Sequence, residues 1–269
     1  MLYILMRTRS KSSDSNENFN ENSNEKLRII PIQEEEQERK VKRPLHPNLP
    51  NIYKGQLICM AAPIRSGKST IISNMLLGDN FYNELFPQDS VTIISNTICS
   101  DSTSRFAYQK FKNNCHDLYS DKIINDIIKR QKAKIENQEK DTSYAIVLDD
   151  LLGQFPKNGR KGMAAINLAT RFRHYVRKPD PCLIIYSTQR YYDLHPVVRN
   201  NATSLLISGN IKSQKEMELI SNDFADTFGG VGKFNEMMNE VRATPYSWLF
   251  LRLDKNPPEA YKNFTHRLF

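Results

Sequence analysis

The sequence predicts an α/β fold with a parallel-rich central sheet and helices on both faces. Short, continuous apolar runs of strand length alternate with segments of helical periodicity from Gly55 onward. The first run and the first helical segment also flank a Gly-Lys-Ser motif. Strands that are apolar throughout are buried on both faces, and their alternation with helices is typical of βαβ units.

Six apolar runs predict the strands. The first, QLICMAA at 56–62, and the second, VTIIS at 91–95, contain no helical spacing. YAIVLDD at 144–150 and CLIIYS at 182–187 are apolar until they end on polar residues. SLLIS at 204–208 and YSWLFLRL at 246–253 complete the set. β-branched and aromatic residues dominate these runs, as expected of buried strands.

Helical spacing predicts the intervening helices at 69–77, 105–113, 122–137 and 163–176, with further helical patterns between the last two strands. The clearest is 122–137, in which five isoleucines form a stripe of period 3.6: Ile123, Ile124, Ile127, Ile128 and Ile135. Such a stripe is the side of a helix that faces a core.

The chain divides into a polar tail and linker at 1–48 and one domain at 49–269. KSSDSNENFNENSNEK contains almost nothing apolar, so that we expect it to be disordered. A basic cluster follows, which would be solvated, contact nucleic acid or act as a targeting signal: Arg39, Lys40, Lys42 and Arg43. PLHPNLPN is a proline-punctuated linker.

The composition limits the classes of function that the chain can have. The 269 residues carry a net charge of +8, of which the tail contributes about +1, because 1–48 hold nine basic and eight acidic residues. A basic domain fits a phosphate-rich partner and also plain solubility. No apolar run could cross a bilayer, and MLYILM is too short for a signal peptide. Cys59 and Cys182 lie in apolar runs, which predicts buried free thiols, a reducing compartment and no structural metal.

The stretch AAPIRSGKST fits a phosphate-binding loop, with an alanine in place of the usual first glycine. A strand precedes it and a helix follows, as the motif requires. Backbone N–H groups at the helix N-terminus would surround a phosphate, Lys68 would reach the β- and γ-phosphates, and Ser69 would bind Mg²⁺. The predicted nucleotide-binding residues are Ala62, Pro63, Ile64, Arg65, Ser66, Gly67, Lys68, Ser69 and Thr70.

Two later strands end on polar residues that suit nucleotide hydrolysis. Asp149 would support Mg²⁺ through its water shell, and Asp150 would orient or deprotonate the attacking water. The run CLIIY continues into Ser-Thr-Gln-Arg, which places Gln189 at the carboxyl end of its strand. Because the carboxyl ends of parallel strands line the ligand crevice, Gln189 would hold the lytic water beside Asp150. The alternative is a strand-end glutamine bonded to a loop.

These motifs together resemble the FtsK–HerA superfamily of DNA-pumping ATPases, over roughly residues 53–264. The shared elements are the phosphate loop, LDD, and STQR followed by VVRNN. The segments IISNTICSD, RFRHYVRKP and LFLRLDKNPPEAYKNF are most similar to the genome-packaging branch of poxviruses, giant viruses and virophages. Members carry a glycine-rich loop, from which Ala62 departs.

The resemblance implies a RecA-like domain in a hexameric ring that hydrolyses ATP with Mg²⁺ to thread double-stranded DNA into a capsid. It also implies a location in the virion or the viral factory, a capsid or nuclease partner, and no membrane. Sites in such rings are completed by an arginine of the neighbouring subunit, for which Arg173 is favoured and Arg171 and Arg199 are alternatives. Lys157, Arg160 and Lys161 would face DNA through sequence-independent phosphate contacts, or simply be solvated.

Three other functions fit parts of the pattern. A small-molecule kinase would share the phosphate loop but has no use for a glutamine sensor. A non-catalytic nucleotide-binding scaffold would explain Ala62, although the whole catalytic set is intact: Lys68, Ser69, Asp149, Asp150 and Gln189. A cellular translocase or helicase of the same superfamily would use identical chemistry.

Overall fold

The computed structural model describes residues 42–98, 101–151 and 162–269. Its centre is one nine-stranded sheet in the order β3-β2-β4-β5-β1-β6-β7-β8-β9. The strands are β1 Gln56–Ala61, β2 Val91–Ser95, β3 Cys115–His116, β4 Tyr144–Asp149, β5 Cys182–Thr188, β6 Ser204–Ser208, β7 Trp248–Arg252, β8 Glu259–Lys262 and β9 His266–Arg267. The first six strands pair in parallel and the last three antiparallel, which confirms the α/β prediction.

Seven α-helices lie among the described residues: α1 Lys68–Leu77, α2 Arg105–Phe111, α3 Asp121–Glu136, α4 Met163–Arg171, α5 Pro196–Asn200, α6 Gln214–Phe224 and α7 Val231–Arg242. Two separate cores cover the two faces of the sheet. Helices α3 to α7 bury their apolar residues against one face, and α1 and α2 against the other. Along β1, Leu57 and Cys59 belong to the first core, and Ile58 and Met60 to the second. This alternation follows from the two-residue period of a strand.

Most predicted elements agree with the structure, and the differences have local causes. The predicted helix 163–176 ends as α4 at Arg171 and continues as a 3₁₀ turn, Phe172–Tyr175. Phe172 and Tyr175 are both buried, and a three-residue period places them on one side. The predicted strand 246–253 begins only at Trp248, because Tyr246 has a left-handed φ of 58°. Strands β3, β8 and β9 were not predicted, since they have only two to four residues.

Residues 42–48 contact the folded domain, contrary to the expectation of a solvated tail. Lys42 Nζ lies 2.6 Å from Asp141 Oδ2, and Arg43 donates to the backbone oxygen of Asp79 at 2.6 Å. Arg252, which is 1% exposed, donates to the backbone oxygens of Pro47 and Asn48. Lys42 thus pairs with a carboxylate of the domain and Arg43 with a backbone oxygen of the domain, whereas Arg252 of the domain binds backbone oxygens of the linker. Arg39 and Lys40 lie outside the described residues.

Cys59 and Cys182 are buried free thiols, as predicted. Burial raises the pKa of each thiol to about 12, so that both stay protonated and unreactive. No helix in the described part of the chain is long and apolar enough to cross a membrane.

Candidate functional site

The order of the strands brings the predicted site residues to one edge of the sheet. Strand β5 lies between β1, which leads into the phosphate loop, and β4, which leads into the two aspartates. Ala61 pairs with Thr188, and Ser187 pairs with Asp149. All three strands are parallel, so that their carboxyl ends meet at the same edge. Gln189 therefore follows β5 between the loop and the acidic strand.

The phosphate loop has the backbone conformation of an anion-binding turn. Arg65 and Gly67 are left-handed, with φ of 62° and 87°, and α1 starts at Lys68. Gly67 is the position where a residue with a side chain would be strained. Ala62 is fully buried, is not left-handed, and donates its N–H to Thr188 O at 3.0 Å. The alanine therefore replaces the usual glycine without backbone strain.

Lys68, Asp150 and Gln189 meet at the centre of the site. Lys68 Nζ lies 3.2 Å from Asp150 Oδ2 and donates to Ala62 O at 3.1 Å. Gln189 Nε2 donates to the same Asp150 oxygen at 3.4 Å. The Lys68 side chain is 8% exposed and that of Asp150 is 20% exposed, so the ion pair is poorly screened by solvent. Asp150 itself is left-handed, with φ of 48°.

Asp149 lies deeper than Asp150, on the last residue of β4. It is 7% exposed, and its Oδ2 accepts a hydrogen bond from Ser95 Oγ at 3.1 Å. Burial raises the pKa of Asp149, and the Asp150 carboxylate raises it further. One oxygen of each aspartate, Oδ1, is buried and accepts no hydrogen bond from the described residues. Such oxygens need a partner, which a cation or its bound water supplies.

The residues present fit a magnesium ion. Mg²⁺ in nucleotide sites is held by one or two carboxylates together with phosphate oxygens, not by a cage of protein ligands. The described residues accordingly contain no group of three or more His, Cys, Asp or Glu that could hold a metal. The two unpaired carboxylate oxygens are the ligands or water-shell partners that this arrangement needs. Ser69, the second residue of α1, is the ligand predicted from the phosphate loop.

Sequence reasoning missed three residues near the predicted set. Ser95, at the end of β2, bonds Asp149, and Asn210, just after β6, donates to Ser66 Oγ at 3.3 Å. Burial raises the pKa of Asp101, but hydrogen bonds from Ser69, Thr103 and Ser104 outweigh it and leave the pKa lowered. For Ser95 and Asn210 the available signal was a polar residue at the end of a parallel strand, the same signal that identified Gln189.

The candidate arginines lie in different surroundings. Arg173 is exposed, and its guanidinium packs on the Phe172 ring. Its Cγ lies beside Gly55, just before β1, where it would be 2.9 Å from a Cβ added to that glycine. Gly55 is at the opposite end of β1 from the phosphate loop, about 20 Å away by the length of that strand. Arg173 therefore cannot reach the candidate site of its own chain.

Arg199 does not have the freedom expected of an arginine that reaches a neighbour. Its NH1 lies 3.1 Å from Asp223 Oδ2, and its guanidinium stacks on Tyr191. The side chain is only 15% exposed, because these two contacts cover it. The structure thus pairs Arg199 with Asp223 of its own chain, and its choice as an alternative stays a prediction. Arg171 is exposed at the end of α4, whereas Lys157, Arg160 and Lys161 lie outside the described residues.

No protein-family model matches the chain, and no curated protein matches it. The chain does match solved structures. The genome-packaging NTPase B204 from Sulfolobus turreted icosahedral virus 2, in complex with sulfate, is 18% identical with a TM-score of 0.53, over 79% of this chain and 98% of that one. Its AMP complex has 18% identity and a TM-score of 0.51, over 77% and 97%. The DNA-packaging ATPase B204 from Sulfolobus turreted icosahedral virus has 20% identity and a TM-score of 0.50, over 79% and 98%. At these identities the likeness shows a shared fold.

Proposed function

We propose that this chain is an ATP-driven translocase of double-stranded DNA that packages a viral genome into its capsid. One observation carries the proposal: Lys68, Asp150 and Gln189 converge at the carboxyl edge of three adjacent parallel strands. A lysine beside a phosphate loop, a carboxylate and a neutral amide are the groups that hydrolysis of a nucleoside triphosphate requires.

Each residue has a defined task in that reaction. The N–H groups from Arg65 to Ser69 bind the phosphates at the start of α1. Lys68 leaves Asp150 and neutralises charge on the β- and γ-phosphates, which frees the Asp150 carboxylate to accept a proton from water. Gln189, which already contacts Asp150, orients that water. Ser69 and Asp149 would hold Mg²⁺, which would supply charge neutralisation of the phosphate oxygens.

The coupling to DNA is supported by the fold shared with the two viral packaging enzymes and by the basic charge of the domain. Contacts to DNA would be to its phosphates, independent of sequence and sensitive to salt. We further propose a homo-oligomeric ring, a hexamer, in which Arg173 completes the site of the next subunit. The exposure of Arg173 and its distance from its own phosphate loop support that role. A capsid or nuclease partner and a place in the virion or viral factory belong to the same proposal.

ATP hydrolysis with and without double-stranded DNA, at two salt concentrations, tests the proposal. We expect turnover that DNA stimulates, with the stimulation lost at high salt because phosphate contacts are screened. Lys68→Ala should abolish turnover, whereas Lys122→Ala, an exposed lysine on α3, should not change it. ATP consumption that needs a small-molecule acceptor and ignores DNA would instead identify a kinase.

A further inference from the structure

Three polar side chains lie in one row across the carboxyl edge of the sheet. Asp149, at the end of β4, pairs in register with Ser95 of β2 on one side and with Ser187 of β5 on the other. All three residues are buried. Ser187 is the member of this row that has no task in the proposed reaction and no contact that explains it.

The row points to the side of the sheet that α1 covers. Successive side chains of a strand point to opposite faces, so residues two positions apart share a face. The residues two positions before each member of the row belong to the core beneath α1: Ile93, Val147 and Ile185. The row therefore lies on the same side as the start of α1, at Lys68.

The two serines differ in their contacts with Asp149. Ser95 Oγ donates to Asp149 Oδ2 at 3.1 Å and so occupies that oxygen. Ser187 Oγ is buried and makes no hydrogen bond within the described residues, and the same is true of Asp149 Oδ1. Burial raises the pKa of Asp149, and the nearby Ser187 hydroxyl opposes this effect in part without reaching hydrogen-bond geometry. Two unpaired oxygens thus lie on neighbouring strands.

The hydroxyl of Ser187 does not stabilise the fold. A buried hydroxyl without a partner is destabilising, and alanine would fill nearly the same space without that penalty. A water molecule can satisfy both unpaired oxygens, because it donates one hydrogen to a carboxylate and also accepts from a hydroxyl. The position of Ser187 beside Asp149 therefore suits a bound water between them.

We propose that Ser187 is a positioning residue of the magnesium site, whose hydroxyl and Asp149 Oδ1 together hold a water of the ion's hydration shell. The inference rests on the proposed function and adds to it a residue that no motif identified. Mg²⁺ keeps several of its waters when a protein binds it. Loss of a group that orients the ligands of a metal typically weakens metal binding by about 10- to 100-fold.

Titration with a non-hydrolysable ATP analogue, once with Mg²⁺ and once with EDTA, isolates the contribution of the ion. Ser187→Ala should weaken binding with Mg²⁺ by about 10- to 100-fold and leave binding in EDTA unchanged. Its melting temperature should equal or exceed that of the original protein, because the variant removes a buried hydroxyl that has no partner among the described residues. A residue whose role is only structural would not give this combination.

Ser204→Ala is the matched control. Ser204 is also a fully buried strand serine whose Oγ has no partner within the described residues, but it begins β6, at the opposite edge of the sheet. This variant should keep its affinity for the analogue under both conditions. Unchanged binding with Mg²⁺ in Ser187→Ala, or an equal loss with Mg²⁺ and with EDTA, would overturn the role of Ser187 alone. Failure of the unmodified protein to bind the analogue, or binding that Mg²⁺ does not strengthen, would overturn the proposed function as well.

Discussion

Replacement of Asp150 by asparagine should make the protein bind ATP more tightly while it loses hydrolysis. In the structure the Asp150 carboxylate lies 3.2 Å from Lys68 Nζ. Nucleotide binding must draw the lysine away toward the phosphates, and the carboxylate then faces further negative charge. Asparagine carries no charge, so it neither holds Lys68 in an ion pair nor repels the phosphates. It also suits the backbone, because Asp150 has a φ of 48° and asparagine is tolerated in that region.

The distance between the two charges sets the size of the effect. At 3.2 Å their attraction is about 1.3 kcal/mol with the dielectric constant of water and about 5 kcal/mol with an effective value near 20. Part of this attraction is regained when the lysine meets a phosphate, so we use the lower figure. It corresponds to about a tenfold gain in ATP affinity. The loss of the proton acceptor should lower turnover by about 10²- to 10⁴-fold.

The assay is calorimetric titration with ATP and Mg²⁺ together with steady-state release of phosphate. Asp126→Asn, which removes an exposed carboxylate from α3, is the control for a simple change in net charge. Weaker ATP binding by Asp150→Asn would show that Lys68 is not restrained by this carboxylate. Turnover at the original rate would place the proton acceptor elsewhere in the site.

Other perturbations test neighbouring parts of the proposal. Gln189→Ala should leave the ATP affinity near its original value and lower turnover on the order of 10²-fold, because the group that orients water is lost; a change confined to KM would contradict this. Arg173→Ala subunits, inactive alone, should regain activity when mixed with Lys68→Ala subunits, and no regain at any mixing ratio would argue against a role between subunits. Burial raises the pKa of Glu216 in the folded protein above its ordinary 4.5. The free energy of unfolding therefore falls as the pH rises from 4.5 to the raised pKa, because the unfolded chain releases this proton first. Glu216→Gln should therefore raise the melting temperature at neutral pH, with the gain vanishing below about pH 4.5; a gain independent of pH would contradict the assignment.

The sequence predicted the strands that carry the site because their signal is local. Val91–Ser95 and Ser204–Ser208 agree in full with the structure, since each is a short apolar run with turns on both sides. Strand β8 was missed although its two central residues are buried, because four residues are too few to establish a period. Helix α1 was predicted from apolar spacing and the motif before it, and begins within one residue of the predicted start.

The chemistry of the site was predictable by residue type, whereas its pairings were not. Lys68, Asp149, Asp150 and Gln189 follow from motifs and strand ends. The ion pair of Lys68 with Asp150 depends on β5 lying between β1 and β4, and strand order is a long-range property that no local pattern contains. The same limit applies to Asn210, which donates to Ser66 of the phosphate loop although 144 residues separate them in sequence.

Strand β5 would have a mechanical consequence in the proposed cycle of ATP hydrolysis. All seven of its residues are buried, and it is hydrogen-bonded to β4 on one side and β1 on the other. A displacement of Gln189 therefore cannot be absorbed by bending of the strand behind it. It must pass forward into the segment after Gln189, where the Tyr191 N–H donates to Glu216 and the Tyr191 hydroxyl donates to Asp223, both on α6. In the proposed cycle of ATP hydrolysis, the loss of a phosphate would therefore be passed from the sheet edge outward to α6.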